Sequence, residues 1–378
     1  MDNLFKVDDI KEEMPNKVLS DNVAKISVIG IGGGGCNMID HMIKEGSRKV
    51  DLIAANTDLQ VLQISQAPKK IQLGVKLTKG LGAGMKPEIG RDSAVESYEE
   101  VKSALKGADI VFIAAGLGGG TGTGAAAIIA KAAKEVGALT VSVITKPFTW
   151  EGKKRAGLAS LGLEELKKVS DSIIVVPNDR LLEIIDENVG MKDAFKIIDN
   201  ILYQAVNGMS EVILNPGSSD INTDFADVKT IMQHRGMALM GIGKAKGDEA
   251  AQKALEDAIE SPLLDKMSLN GAKGILIHFN IHPQVSLLAI NSVMGGIHER
   301  VDANVEIIFG TTSDRTLEKD EVKITIVATG FESKDDEDEN NANENGADDE
   351  GKKNLSSKDD NYLDIPPLMR DYVVKYQF

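Results

Sequence analysis

The chain alternates between short, continuously apolar runs and longer stretches whose apolar residues recur at helical spacing. Residues 25–30 (KISVIG) read as a buried strand that enters a glycine run at 32–35 and then the helix-like NMIDHMIKEG. The alternation recurs, with strands expected over 50–56 (VDLIAAN), 109–115 (DIVFIAA), 138–145 and 172–176, and helices over 87–104, 124–136 and 153–169. Apolar strands separated by helices predict an α/β fold with a parallel sheet covered on both faces.

Between Asp193 and Leu214, the residues Phe195, Ile197, Ile198, Ile201, Leu202, Ala205 and Val206 fall near a period of 3.6, predicting a helix longer than its neighbours that joins two domains. Strands over 238–244, 274–281, 304–309 and 323–329, with helices over 249–259 and 284–298, predict a second, smaller α/β domain ending near Gly330. The expected division is a flexible segment 1–21, a Rossmann-like domain 22–191, a central helix 192–215, a C-terminal α/β domain 216–331, a linker 332–360 and a terminal peptide 361–378.

Charge and composition sharpen this division. The net charge is −15, and residues 333–360 hold eleven acidic against four basic residues, a net of −7. That stretch has almost no large apolar side chains, so a disordered tether is expected. The final eighteen residues, NYLDIPPLMRDYVVKYQF, turn apolar and aromatic again, which suits a docking peptide. An acidic chain is not built for nonspecific binding to nucleic acid or anionic membrane. One cysteine, Cys36, leaves no internal disulfide framework, and no apolar run reaches the roughly 18 residues that would span a bilayer. The N-terminal stretch has no signal-peptide pattern. A soluble cytoplasmic protein is expected.

Two glycine runs carry the chemistry. Gly30-Ile31-Gly32-Gly33-Gly34-Gly35 satisfies G-x-G-x-x-G between strand and helix, where backbone N–H groups and the helix dipole hold phosphate. Alone it also fits a tight packing turn, or a dinucleotide site with Asp51 or Asp58 on a ribose. The second run, residues 116–124 (GLGGGTGTG), has six glycines in nine residues and two hydroxyls, Thr121 and Thr123, suited to phosphate oxygens or a magnesium shell. Two such loops at one end of a parallel sheet would enclose a phosphate chain. There is no G-x-x-x-x-G-K-[ST], so a P-loop is excluded. The five histidines show no metal-ligand spacing.

GGGTGTG after a strand resembles the signature of the tubulin/FtsZ family, and other blocks of the FtsZ pattern follow in order: ANTD (55–58), TKGLGAG (78–84), TKPF (145–148), EGKKR (151–155), VPND (176–179) and NTDFAD (222–227). The resemblance runs from about Val23 to Gly330 and implies a tubulin/FtsZ-type fold and a GTPase using GTP/GDP with Mg2+. Carried over, it implies phosphate contacts from Gly33, Gly34, Gly35, Cys36 and Asn37 and from Gly118, Gly119, Gly120, Thr121, Gly122 and Thr123, with Asn37 also reaching toward the base. Glu151 and Arg155 would meet the ribose region, Phe195 would stack on guanine, and Asp199 would accept from guanine N1 and N2.

It further implies catalysis by Asn222, Asp224 and Asp227, completing the site of the next subunit in a head-to-tail homopolymer, the cytoplasmic division ring at midcell. Read without the resemblance, N-x-D-x-x-D opening a helix is an ordinary cap. The terminal DIPPL (364–368) is similar to the FtsZ peptide that docks on membrane tethers and assembly regulators. Two other readings compete: an NAD-dependent oxidoreductase built on the first loop, which leaves the second unexplained, and a nucleotide-binding structural protein that assembles without hydrolysis.

Overall fold

A computed structural model describes residues 24–47, 50–183, 189–214, 224–234, 236–261 and 269–331. The expected segments 1–21, 332–360 and 361–378, and Asn222, lie outside the described residues.

The first half is a run of strand and helix units: β1 (Ile26–Ile31), α1 (Gly32–Lys44), β2 (Asp51–Asn56), α2 (Leu59–Ile64), β3 (Lys69–Gln72), α3 (Val75–Thr78), α4 (Pro87–Glu96), α5 (Tyr98–Leu105), β4 (Ile110–Gly116), α6 (Thr121–Glu135), β5 (Leu139–Lys146), α7 (Lys153–Lys167) and β6 (Ser172–Pro177). Then α8 (Met191–Leu214) leads to α9 (Phe225–Met232), β7 (Met237–Lys246), α10 (Ala250–Ile259), β8 (Gly274–Ile281), α11 (Leu287–His298), β9 (Glu306–Ser313) and β10 (Glu321–Phe331). Among the described residues, one sheet runs through ten strands in the order β3-β2-β1-β4-β5-β6-β7-β10-β8-β9. Its first six strands are parallel, and β10 is antiparallel to both β7 and β8.

Alternation along the strands splits the core. Ile26 and Val28 of β1 face α1 and α8, whereas Ile29 and Ile31 face α5, α6 and α7. In the second half, Ile324 and Ile326 of β10 pack with α10 and α11, while Val327 joins the cluster under α8 and α9. Ile198, Ile201, Leu202, Ala205, Val206 and Met209 of α8 are buried, so the predicted stripe is the face that covers both halves. β6 and β7 are paired only at Ile173–Met237 and Ile174–Ala238. α8 therefore carries much of the cohesion between the halves.

The helix expected over 87–104 is two helices. Ser97, at φ −98° and ψ 16°, breaks it because its hydroxyl accepts from Gly74 N at 3.1 Å and donates to Gln72 O at 3.3 Å. Tertiary hydrogen bonds override local propensity there. In the second half β7 presses on α10 so closely that a Cβ at Gly243 would lie 1.9 Å from Ala254 O and 2.5 Å from Ala258 N. Both are backbone atoms and neither side can yield cheaply. Gly243→Ala is expected to destabilise the chain by about 1–3 kcal/mol, as other overpacked cores do, read as a lowered thermal midpoint; an unchanged midpoint would refute this contact.

Candidate functional site

The two glycine runs leave adjacent strands at the same end. β1 and β4 pair in parallel, with Ile31 opposite Ala115, and between them the strand order reverses, which in open α/β sheets is where ligands bind. At the first turn Gly32 takes φ +71°, which frees α1 to start at once, and no side chain caps α1. At the second, Gly118 takes φ +97°, its N–H donates to Thr123 Oγ1 at 2.9 Å, and α6 also starts without a side-chain cap. A Cβ on Gly32 would come within 3.0 Å of Gly122 N, so the two helix N-termini abut. Each presents unpaired N–H groups and roughly half a positive charge to one cleft.

Most of these glycines are demanded by backbone packing. A Cβ at Gly30 would meet Gly35 O at 2.1 Å, one at Gly35 would meet Ala114 O at 2.4 Å, and one at Gly122 would meet Gly116 O at 2.4 Å. Gly33 and Gly119, by contrast, would meet nothing within 4 Å. The glycine excess in the second run is thus largely a requirement of close approach, and the open positions mark where a ligand has room.

Three further segments close on the cleft. The loop 79–86 lies against Gly120, whose Cβ would fall 2.8 Å from Ala83 Cβ and 3.0 Å from Lys86 N. Gly82 N donates to Thr57 O at 3.2 Å, and Thr57 Oγ1 sits 2.6 Å from Thr121 Oγ1. On the other side, a Cβ on Gly118 would come 2.9 Å from Arg155 O. Glu151 is fixed twice: Phe148 N donates to it at 2.9 Å, and it pairs with Arg155. Phe148 stacks on Trp150, with ring centroids 5.3 Å apart, and meets Phe195 edge to face at 6.1 Å. Asp179 pins the same loop by accepting from Thr149 N at 3.0 Å and Thr149 Oγ1 at 2.5 Å. Beside it, at the carboxyl end of β6, Asn178 Oδ1 is buried and has no hydrogen-bond partner among the described residues.

Asp199 is carried on α8 where it faces α1. Burial pushes its carboxyl up from 3.8 to about 6; His41 and Lys44 of α1 oppose that rise and Asp40 adds to it. The α1–α8 contact is held by His41, whose Nε2 is 3.4 Å from Asn200 Oδ1 and whose ring meets Tyr203 edge to face. Cys36 is buried, with its thiol toward Ala55 O and Asn56 and pushed up to about 12 by desolvation. Only its backbone faces the turn. Asn37 is exposed on the next position of α1.

The two acids of the dinucleotide reading are engaged elsewhere. Asp58 caps α2 by accepting from Gln60 N at 2.9 Å, and Asp51 lies at the start of β2, level with Ser27, paired with Lys25 at 3.4 Å. Asp51, at the amino end of β2, is not placed for a ribose at the glycine turns, which leave the carboxyl ends of β1 and β4. Asp224 is the N-cap of α9 and accepts from Asp227 N at 2.8 Å; both residues are exposed. Among the described residues neither bonds to the glycine turns. The structure therefore brings the two loops, Glu151, Arg155 and Phe195 together, sets Asp199 against the later turns of α1 and, among the described residues, leaves Asp224 and Asp227 without a bond to the glycine turns.

Residues 25–186 match the Tubulin/FtsZ family GTPase domain, and residues 236–332 match the FtsZ family C-terminal domain. FtsZ from M. jannaschii, in an empty dimer structure, is 45% identical with a TM-score of 0.76, covering 82% of this chain and 90% of that chain. The chain belongs to the FtsZ family. A mutant FtsZ from the same organism is also 45% identical, with a TM-score of 0.75 over 82% and 92% of the two chains. CetZ1 from Haloferax volcanii, a GDP-bound monomer, shares the fold at 20% identity and TM-score 0.70, over 82% of this chain and 95% of that one. This FtsZ-family chain is accordingly a GTPase, and its ten-stranded α/β architecture is the tubulin/FtsZ fold.

Sequence reasoning gave no role to Thr57, Asn178 or the loop 79–86. The alternating Gly80, Gly82 and Gly84, all at positive φ, were the available signal for that loop. The folded value of Asp199, about 6, lies above its ordinary 3.8, so the group favours the fold fully below about pH 4 and that contribution is lost as pH rises through about 6. Asp199→Asn lacks this loss. Nucleotide-free Asp199→Asn is therefore expected to gain thermal stability over the parent chain as pH rises from about 4 to 6, with the gain level above that; a pH-independent difference would show that the carboxyl is not desolvated.

Proposed function

We propose that this GTPase binds GTP or GDP in the cleft between the α1 and α6 N-termini and assembles head to tail into filaments that form the division ring at midcell. Gly33–Asn37 and Gly118–Thr123 hold the phosphates, Glu151 and Arg155 meet the ribose region, Phe195 stacks on the base and Asp199 accepts from guanine N1 and N2. Guanine presents two donors there, which relieve a desolvated carboxylate. Adenine presents an acceptor at N1, which does not.

The observation that carries the assembly reading is where the carboxylates stand. Phosphoryl transfer needs an oriented water and positioned charge. The phosphate cleft is built from backbone N–H groups and hydroxyls, whereas Asp224 and Asp227 stand exposed at the start of α9 without a bond to it. From Phe195 to the end of α8 is about 28 Å at 1.5 Å per residue. With Asn222, these acids orient water in a second subunit's site. Such a contact is heterologous, so it extends into open filaments. The exposed Leu81 and Met85 beside the cleft, and Leu287 and Leu288 at the start of α11, are apolar side chains such a contact covers. The related M. jannaschii FtsZ is described as a dimer, in keeping with self-assembly.

Mg2+ fits this donor set as an ion that arrives with the phosphates. Among the described residues no three His, Cys, Asp or Glu side chains gather to cage a metal, while phosphate oxygens and water are the ligands Mg2+ prefers. When bound it neutralises phosphate charge. The terminal peptide 361–378 docks on division proteins, membrane tethers and assembly regulators among them, and the chain acts in the cytoplasm. Among the described residues no helix is long and apolar enough to cross a membrane.

Phosphate release per chain, measured against protein concentration with light scattering in GTP and in GDP, tests the shared site. The rate is expected to be near zero below a threshold concentration and to rise above it, with scattering in GTP alone; a concentration-independent rate would place the whole site in one chain. Asp227→Ala is expected to bind GTP and assemble but to hydrolyse it slowly, and full turnover by that variant would remove Asp227 from the mechanism.

A further inference from the structure

The loop after β2 and the start of α6 meet through two hydroxyls. Thr57 Oγ1 lies 2.6 Å from Thr121 Oγ1, and among the described residues each hydroxyl has the other as its only hydrogen-bond partner. Their surroundings differ. Thr57 is fully buried, whereas Thr121, the first residue of α6, is partly open to the cleft. The Thr57 backbone is also held, since its carbonyl accepts from Gly82 N at 3.2 Å and from Thr78 Oγ1 at 3.3 Å.

A threonine hydroxyl has one hydrogen to give and two lone pairs to receive with. If Thr121 donated to Thr57, the Thr57 hydrogen would be buried with no acceptor, the costly case for a polar group. If Thr57 donates, its hydrogen is used, and Thr121 keeps a hydrogen that it can turn into the open cleft. Burial thus fixes the direction. This matters for an anion, because a phosphate oxygen is drawn to an O–H hydrogen and repelled by a lone pair.

We propose that Thr57 is a positioning residue for GTP hydrolysis: its buried hydroxyl donates to Thr121 and so makes Thr121 a dedicated hydrogen-bond donor to a phosphate oxygen of the nucleotide. The assignment rests on Thr121 being a phosphate ligand. It accounts for a hydroxyl at a fully buried position where valine would fill the same volume. It also ties the loop 79–86, through Gly82 and Thr78, to the residue that orients the donor.

The test uses the full chain, with GTP affinity measured at concentrations too low for scattering and kcat/KM measured above the assembly threshold. Thr57→Val is expected to lower both by about five- to tenfold, the scale of one well-placed hydrogen bond, and Thr57→Ser to restore them. Thr121→Ala is expected to lose a similar factor, and Thr57→Val added to Thr121→Ala to lose nothing more, because the two groups act as a unit. Effects that multiply in the double variant, or a Ser variant as weak as the Val variant, would reduce Thr57 to a packing residue and overturn the proposal. A Thr121→Ala chain with parental affinity and kcat/KM would overturn it by a different route, by removing Thr121 from the phosphates altogether.

Discussion

The rest of the molecule depends on one close approach: the first turns of α1 and α6 touch at Gly32 and Gly122, while Gly35 packs on the carbonyl of Ala114 in β4. Side chains at these positions would hold the helices apart. Bringing two helix N-termini together sets like partial charges side by side, a repulsion on the order of 1 kcal/mol for half-charges about 5 Å apart at an effective dielectric of about 20. The sheet must enforce it, which the seven-residue pairing of β4 with β5 and the six-residue pairing with β1 do. A polyphosphate held there, as proposed above, would turn that repulsion into attraction, and two helix N-termini would supply the positive end that a P-loop lysine supplies elsewhere.

The second dependence is on α8. At its start it carries Phe195 against Phe148 and Asp199 against α1, and further along it covers Met240 and Val327 of the second half. The sheet by itself joins the halves through two residue pairs, whereas the α8 stripe buries six apolar side chains across both. Each of the five larger ones, Ile198, Ile201, Leu202, Val206 and Met209, contributes about 1.5–3 kcal/mol when fully buried. The base contacts proposed for Phe195 and Asp199 and the packing between the halves therefore belong to a single helix, and a shift of α8 along its axis would disturb both.

Much of this was legible in the residues. The apolar runs became strands because strands buried on both faces tolerate no polar interruption, and the α8 stripe was readable because a helix covering two sheet halves needs a long one. What the chain did not disclose were contacts set by other parts of the fold. Ser97 breaks a helix only because Gly74 and Gln72 reach it. The insertion of β10 between β7 and β8 is a pairing choice that no local pattern encodes. The glycines of the second run looked like phosphate ligands by their number, yet Gly120 and Gly122 are required by neighbouring backbone while Gly119 is open. Asp224 was ambiguous for a physical reason: an exposed carboxylate at a helix start serves as a cap and is available to a second molecule in the same position, and its bond to Asp227 N shows the first use without removing the second.

The acids of this chain divide by solvation, and the division matches the work proposed for them. Asp224 and Asp227 are exposed to water, where a carboxylate can orient a solvent molecule without a desolvation cost. Asp199 is partly withdrawn from water and has no ion-pair partner among the described residues, although His41 and Lys44 offset part of the cost. A carboxylate held that way weakens the empty fold and strengthens any complex that supplies hydrogen-bond donors, since stability lost on desolvation is recovered on binding. Exchanging the two environments would fail at both ends. A desolvated acid at the α9 start would be partly protonated and a poor water acceptor, and a fully solvated acid beside the base would gain too little from guanine to reject adenine.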